Sequence, residues 1–455
     1  VGIIEELAEI LPASQVSTRD DDLEVASGDE STLDRVRPLA VVWAHTTAEI
    51  QSVVRLCAQA KTPITSRGAG SALEGSTIPS PDGIVLDLSH MTRIIDLWVN
   101  DLQVRVEPGL VFDDLNAHLK NEGLFFPPSP GGSGDIATVG GMVATNASGI
   151  YSVKYGGTRD YVLAVELVTG TGELVALGNR AIKRSSGYDL VNLIVGSEGT
   201  LGVVASVTLR LAGLPEGRRQ SAFCFDDDLT AAQAVSEMAR YGLDLAAVEF
   251  LDQALVKALN ALKDFGLEES PTLFLEFHGP EAAIDATAEL AGSVCQELGG
   301  RPLRLAEGQQ PWEIRHFATD AVKHRQPGYA IVRNDVAFPI SKLPEMVAFC
   351  HELGQEYGLT THAFGHVGLG LLHALILAQR DDSHQWQMAH EMSDRIIKKT
   401  LQIGGTISGE HGIGLGHKDL FGLEHGSAVA LMQGIKKVFD PHNIMNPGKV
   451  FESPT

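Results

Sequence analysis

Apolar residues recur along this chain in two rhythms. From Ala40, AVVWAHTTAEIQSVVRLCAQAKTPITSRGAG opens on a short apolar run. Thr46 and Thr47 follow, and then apolar residues stand at Ile50, Val53, Val54 and Cys57. This predicts a strand, a threonine N-cap, an amphipathic helix and a second strand ending in a glycine turn. GIVLDLS, LQVRVEPG, VLAVELVTGTGELVAL and TLGVVASVTLRL carry the alternation of strands and helices to about residue 213. Gly170–Gly172 reads as a hairpin turn between two of them. Ahead of this region, residues 3–11 read as a short amphipathic helix, and the acidic, polar residues 17–36 as a linker. LPEGRR at 214–219 marks a boundary. Beyond it, longer helical patterns (LTAAQAVSEMARYG, EAAIDATAELAGSVCQELGG, ISKLPEMVAFCHELGQEYG) are separated by apolar strands (TLFLEFHG, YAIVRNDVAF). That texture predicts an α+β second domain on an antiparallel sheet. The chain from about 385 is helical and ends in FDPHNIMNPGKVF, where Pro and Asn break the regularity.

One stretch fits neither rhythm. Pro127 to Gly157, PPSPGGSGDIATVGGMVATNASGIYSVKYGG, is rich in glycine and small hydroxyl residues and nearly uncharged. Glycine lets backbone approach a ligand closely, and runs of N–H groups form nests for anions. The stretch lies just before the apolar strand Tyr161–Val168, so it reads as a wall against a large phosphate-bearing cofactor rather than as a surface loop.

The composition narrows the partners. With 455 residues the chain is long enough for two or three domains. Its 44% hydrophobic and 20% charged content is that of an ordinary globular protein. A formal net charge of -23 argues against nucleic acid and anionic membrane surfaces as partners. Cys57, Cys224, Cys295 and Cys350 lie far apart, with no CxxC pair, which predicts free thiols in a reducing, cytoplasmic setting. No apolar run approaches a membrane span, and VGIIEELAEILPAS lacks the basic segment of a signal peptide. Any membrane association is therefore expected to be peripheral, at the inner membrane.

Two common phosphate cradles are excluded. Gly70–Thr77, GSALEGST, has Walker A glycine spacing, but Ser76 stands where that loop needs Lys. No G-x-G-x-x-G follows the first strand, since Gly68 and Gly70 are followed by Leu73. TSRGAGSALEG at 65–75, the stretch above and GSEGTLGVV at 196–204 remain, and together they would wrap one extended ligand.

Six motifs, in order, carry a resemblance: PITSRGAGSALEG, FPPSPGGSGDIATVGGMVATNASG, VKYGGTRDYVLAVELVTGTGE, VGSEGTLGVV, GGTISGEHGIG and FDPHNIMNPGKVF. The chain resembles the vanillyl-alcohol-oxidase (PCMH-type) flavoproteins from about residue 38 to 451. The branch is that of D-lactate dehydrogenase, D-2-hydroxyglutarate dehydrogenase and the glycolate oxidase catalytic subunit. The resemblance implies an α+β protein: an N-terminal helix and linker at 1–37, an FAD-binding domain at 38–214, a cap domain at 215–410, and a C-terminal segment at 411–455 that packs back on the FAD domain. It assigns FAD contacts to Arg67, Gly68, Ala69, Gly70, Ser71 and Ala72 in the first loop. In the second they are Pro130, Gly131, Thr138, Gly140, Gly141, Ala144, Ser148 and Gly149. Glu198, Gly199, Gly202, Val203 and Asn446 complete the set. Some relatives attach FAD to a His or Cys in the first loop. Residues 63–79 contain neither, so the FAD is expected to be non-covalent.

The second half carries THAFGHVGLGLLHALIL at 361–377 and GGTISGEHGIG at 404–414. Gly368 and Gly370 allow a bend that could bring His366 and His373 together. Two His and a carboxylate are a common divalent-metal set. On spacing alone, unrelated buried histidines remain open as an alternative. The resemblance assigns His366, His373 and Glu410 to Zn or Mn and makes His411 the base, with His362 structural. Oxidising a 2-hydroxy acid removes a hydride from C2, to flavin N5, and a proton from a weakly acidic hydroxyl. A cation lowers that pKa and a histidine accepts the proton. The resemblance places a substrate-carboxylate Arg at Arg315 of PWEIRHFATDA, where the guanidinium fork suits a carboxylate. Thr319, one turn later on the same helical face, and Arg333 are further substrate candidates.

The chain departs from the family at one point. Relatives read GHxGDGNLH, whereas Leu369 and Leu371 stand here for the Asp and Asn. The expected substrate is therefore a D-lactate-like D-2-hydroxy acid with a larger, apolar side chain. Without a haem or iron–sulfur motif, electrons must pass to an external quinone, cytochrome or electron-transfer flavoprotein. A homodimer is compatible with the sequence. The alternative is a non-catalytic flavin-binding subunit of a glycolate-type oxidase, which would have no reason to keep Glu410 and His411. A covalent-flavin oxidase of sugars or phenols is disfavoured by the first loop.

Overall fold

A computed structural model describes residues 2–306 and 308–452. The chain divides into two compact units. The first comprises Val1–Ser148, Gly156–Leu214 and Glu410–Thr455, and the second Gly149–Tyr155 and Pro215–Gly409. The second boundary thus falls before Glu410 rather than after it, and seven residues of the glycine stretch, Gly149–Tyr155, group with the second unit.

The first unit holds two main sheets. In one, Val16–Ser17, Ala40–Trp43, Ile84–Asp87 and Ile64–Arg67 lie side by side in that order, the last three parallel. Parallel strands need a crossover, and the helix Thr47–Ala60 supplies it between Ala40–Trp43 and Ile64–Arg67, which flank Ile84–Asp87. Thr46 caps that helix: its side chain accepts from the Glu49 N–H, and Glu49 reaches back to the Thr46 N–H. Ile50, Val53, Val54 and Cys57 are fully buried against Ile64, Ile84 and Leu86. Each such side chain contributes about 1.5–3 kcal/mol. The other sheet is antiparallel, in the order Ile94–Trp98, Gln103–Val106, Val203–Arg210, Val162–Val168, Leu174–Gly178. The last two strands form the hairpin at Gly170–Gly172, where Gly172 has φ +77.

The linker expected at 17–36 is partly helical, since Asp20–Ala26 forms a helix. Asp20, Asp21 and Asp22 fill its first turn, where negative charge meets the positive end of the helix dipole. Leu23 and Ala26 bury its inner face against Val41 and Val85.

The second unit is built on a seven-stranded antiparallel sheet. Its order is Arg301–Pro302, Gly217–Cys224, Thr272–Gly279, Ala247–Leu251, Thr361–Gly365, Leu371–Ala378, Ala330–Ala337. Helices Asp228–Arg240, Glu281–Glu297 and Leu343–Tyr357 bury Val235, Ile284 and Val347 among their inner residues. Among the described residues, no helix is long and apolar enough to cross a membrane.

Candidate functional site

In the first unit the three glycine loops wall one cleft. The loops need glycine because they pack against neighbouring backbone. A Cβ on Gly140 would sit 2.6 Å from the Pro108 Cβ and 2.9 Å from its carbonyl oxygen. Gly70, at φ +73, has the Arg67 guanidinium where a side chain would stand. Arg67 is buried and donates to the Gly28 carbonyl at 2.7 Å. Thr138 caps the helix Val139–Thr145 by accepting from the Gly141 N–H at 3.2 Å.

Of the positions assigned to the cofactor, all but Ser148, Gly149, Val203 and Asn446 line this cleft. Val203 begins a strand whose next residue, Val204, lines it instead. Ser148 donates to Glu410 Oε2 at 2.6 Å. Asn446 works from behind. Its Nδ2 donates to the carbonyls of Ser76 and Glu198, both at 2.8 Å, and its Oδ1 accepts from Thr65 at 3.2 Å. One amide thus ties the first loop to the third. Lys436, which the motifs did not flag, donates to Thr200 O, Met445 O and Asp440 Oδ2 at 2.8–2.9 Å and anchors the same corner.

Glu410 and His411 also line the cleft. His411 Nδ1 lies 3.9 Å from Glu74 Oε1, and His417 Nε2 lies 3.3 Å from Glu74 Oε2. Glu74 escaped the sequence reading, although a lone carboxylate in a glycine loop was a signal for it. Glu198 has φ +51 and accepts from the N–H groups of Ile413 at 2.7 Å and Gly414 at 2.8 Å.

Burial pushes the Glu198 carboxyl up from 4.5 to about 7, against the pull of those two N–H groups. The folded state therefore prefers the neutral acid. Its contribution to stability is fully present below pH 4.5 and is lost as pH rises through about 7. The melting temperature of the wild type minus that of Glu198→Gln should fall across that window. A difference flat with pH would contradict the shift.

In the second unit, an antiparallel register aligns Phe250 with Gly365 and Leu251 with Phe364. Extended by one residue, it sets Glu249 against His366. Glu249 Oε2 lies 2.7 Å from His366 Nδ1, and Oε1 accepts from Arg315 Nε. Burial alone would push the Glu249 carboxyl up, but Arg315 and His366 outweigh it and hold it at about 2. The Arg315 guanidinium lies 4.5 Å over the Phe364 ring. After His366 the chain turns through Val367–Leu369, and Gly370, at φ +75, returns it as the strand Leu371–Ala378. The rings of His366 and His373 then stand 5.6 Å apart, both buried. Asp335, the cross-strand partner of His373, brings Oδ1 to 3.4 Å from His373 Nδ1 and accepts from Ser408 Oγ at 3.1 Å. Neither Glu249 nor Asp335 was expected in the site, although Glu249 is a lone acid in an apolar strand.

Arg315 and Thr319 do not share one helix. Pro311–His316 ends at Phe317, and Ala318–Arg325 begins a new helix. Trp312 fixes the first of these by donating its indole N–H to buried Glu276. Arg333 lies on Ala330–Ala337 opposite Leu375. His362 is buried, and that burial lowers its pKa.

Comparisons with known proteins divide the chain in a related way. Residues 38–178 match the model of an FAD binding domain, and residues 214–450 match that of the FAD linked oxidases, C-terminal domain. The chain is 35% identical to a probable mitochondrial D-lactate dehydrogenase of Danio rerio, over 93% of this chain and 87% of the relative. It is 32% identical to a D-2-hydroxyglutarate dehydrogenase of Xanthomonas citri pv. viticola, over 98% of this chain and 96% of the relative. Among solved structures, p-cresol methylhydroxylase with substrate bound superimposes with a TM-score of 0.83 at 18% identity, covering 99% of this chain and 96% of the other. At that identity the likeness concerns the fold alone.

Proposed function

The chain belongs to the FAD-linked oxidases, and from that premise we propose that it oxidises a D-2-hydroxy acid with an extended apolar side chain to the 2-oxo acid. It is an FAD-dependent oxidoreductase of the 2-hydroxy-acid type. The observation that carries the reading is that the cleft walled by the three glycine loops is also lined by Glu410 and His411. A flavin wall with acid–base groups on it suits a catalyst better than a passive flavin carrier.

The residues fit the cofactor. Small side chains and backbone leave room for a flat ring, and buried Arg67 and the loop N–H groups suit a diphosphate. FAD would be held there without a covalent bond. For a divalent ion, Zn or Mn, the resemblance offers His366, His373 and Glu410. Imidazole and carboxylate donors suit such ions, and Asp335 adds a carboxylate beside His373. Bound FAD supplies the acceptor for the C2 hydrogen and its electron pair, and the ion supplies charge that acidifies the hydroxyl.

The chain's own groups do the rest. His411 takes the hydroxyl proton on Nε2, the nitrogen remote from Glu74. Arg315 holds the α-carboxylate through its two terminal nitrogens, since Nε is engaged by Glu249. Thr319 is a further substrate contact, and Arg333 serves the distal part of the substrate. Leu371 is buried and Leu369 is 48% exposed. The Leu371 Cδ1 lies 2.6 Å from where a Gly409 side chain would begin, so apolar bulk occupies the place of the family's amide. Electrons then leave to an external quinone, cytochrome or electron-transfer flavoprotein. The setting proposed is cytoplasmic or peripheral to the inner membrane, in keeping with four buried cysteines that form no disulfide.

Anaerobic mixing with glycolate, D-lactate, D-2-hydroxyglutarate and D-2-hydroxy acids of growing alkyl length tests this. The flavin should bleach fastest with the longer alkyl acids. No bleaching with any of them would favour a non-catalytic flavin subunit instead. Elemental analysis should find about one Zn or Mn per chain. No transition metal, together with turnover insensitive to chelators, would remove the ion from the reading.

A further inference from the structure

Glu249 belongs to neither the cofactor loops nor the residues assigned to substrate and metal, yet it touches two of the latter. It is 1% exposed, on a strand whose other residues are apolar. Its two oxygens are divided between Arg315 Nε and His366 Nδ1. A carboxylate accepts only, so the proton on His366 resides on Nδ1 and the lone pair on Nε2. The same carboxylate takes the one guanidinium nitrogen that lies inside the fork's base. It thereby sets the direction in which the two terminal nitrogens point.

We propose that Glu249 is a positioning residue that sets the His366 tautomer for metal ligation and the Arg315 fork for the substrate carboxylate with one carboxylate. This rests on the oxidase reading above. Phe364 reinforces the arrangement, with Arg315 stacked on its ring and His373 at a centroid distance of 5.3 Å. One contact comes from the helix Pro311–His316 and the other from the sheet register, which extended by one residue sets Glu249 against His366.

Glu249→Gln tests the proposal, because it keeps the volume and removes the second acceptor oxygen. A glutamine that accepts from Arg315 turns its NH₂ toward His366 Nδ1 and forces the proton to Nε2. FAD stoichiometry and melting temperature serve as folding checks, and Glu249→Asp is a second variant that keeps the charge but shortens the reach. Affinity for Mn²⁺ added to metal-stripped holoenzyme should fall roughly 10- to 100-fold in Glu249→Gln. Affinity for oxalate, a non-reacting dicarboxylate followed through the flavin spectrum of that stripped enzyme, should fall about tenfold or more. Excess Mn²⁺ should restore kcat but leave KM raised.

Both affinities within twofold of wild type would overturn the proposal, and so would loss of only one of them. If Glu249→Gln does not fold, Glu249→Asp carries the same two measurements. Oxalate binding needs no turnover. It therefore separates this proposal from the proposed function, whose own failure is an intact flavin reduced by no 2-hydroxy acid.

Discussion

Replacing His411 with Ala should lower kcat/KM for 2-hydroxy acids by roughly 100- to 10,000-fold, the usual worth of a positioned general base. It should leave FAD bound at wild-type stoichiometry. The two outcomes separate because the cleft is built mostly from backbone and small side chains, whereas His411 contributes only a ring at its wall. An alkanol proton does not leave at neutral pH unaided, so loss of the acceptor stalls the step that must accompany departure of the C2 hydrogen. Anaerobic flavin reduction, with FAD counted after denaturation, gives both quantities. Rapid bleaching of the variant's flavin would refute the role of His411 as base.

Arg315 is the second large effect. Arg315→Lys should raise KM for 2-hydroxy acids by roughly 10- to 150-fold, equivalent to about 1.5–3 kcal/mol for a charge-assisted contact. Lysine keeps the charge but loses the fork that serves Glu249 and a carboxylate at once. Arg315→Met should cost more and should also lower the melting temperature. It takes the guanidinium from buried Glu249 and leaves it the hydrogen bond from His366, and breaking a buried pair costs about 3–5 kcal/mol. Initial rates against substrate concentration, alongside a melting curve, separate the two losses. A wild-type KM in Arg315→Lys would remove Arg315 from substrate binding.

The parts that were legible in the sequence are those where local chemistry decides. The helix Thr47–Ala60 carries its own cap and its own apolar stripe, and the glycine loops carry their own backbone requirement. The acidic helix Asp20–Ala26 was hidden because its signal lies in charge at the first turn rather than in apolar periodicity. The break at Phe317 was hidden because the helical pattern of PWEIRHFATDA runs across it without glycine or proline. Glu249 illustrates the general limit. Its partners lie 66 and 117 residues away, brought by a helix and by sheet register. No window on the sequence contains that information. The hint that was present, a lone acid in an apolar strand, tells that a partner exists but not which one.

The threading of the chain bears on how this protein can be inherited and dissected. The second unit is not a contiguous stretch, because Gly149–Tyr155 belongs to it while the residues on both sides belong to the first. Those seven residues include Tyr151, whose hydroxyl reaches Glu276 at 3.3 Å, and Tyr155, whose hydroxyl lies 2.9 Å from His278 Nδ1. A gene fragment encoding residues 215–409 alone would leave that buried acid and imidazole without their phenols. Recombination that transplants the second unit must carry a small piece of the glycine-rich stretch with it. Exchange between relatives is therefore easier for whole chains than for halves, and new substrate ranges are more readily reached by point substitution than by swapping modules.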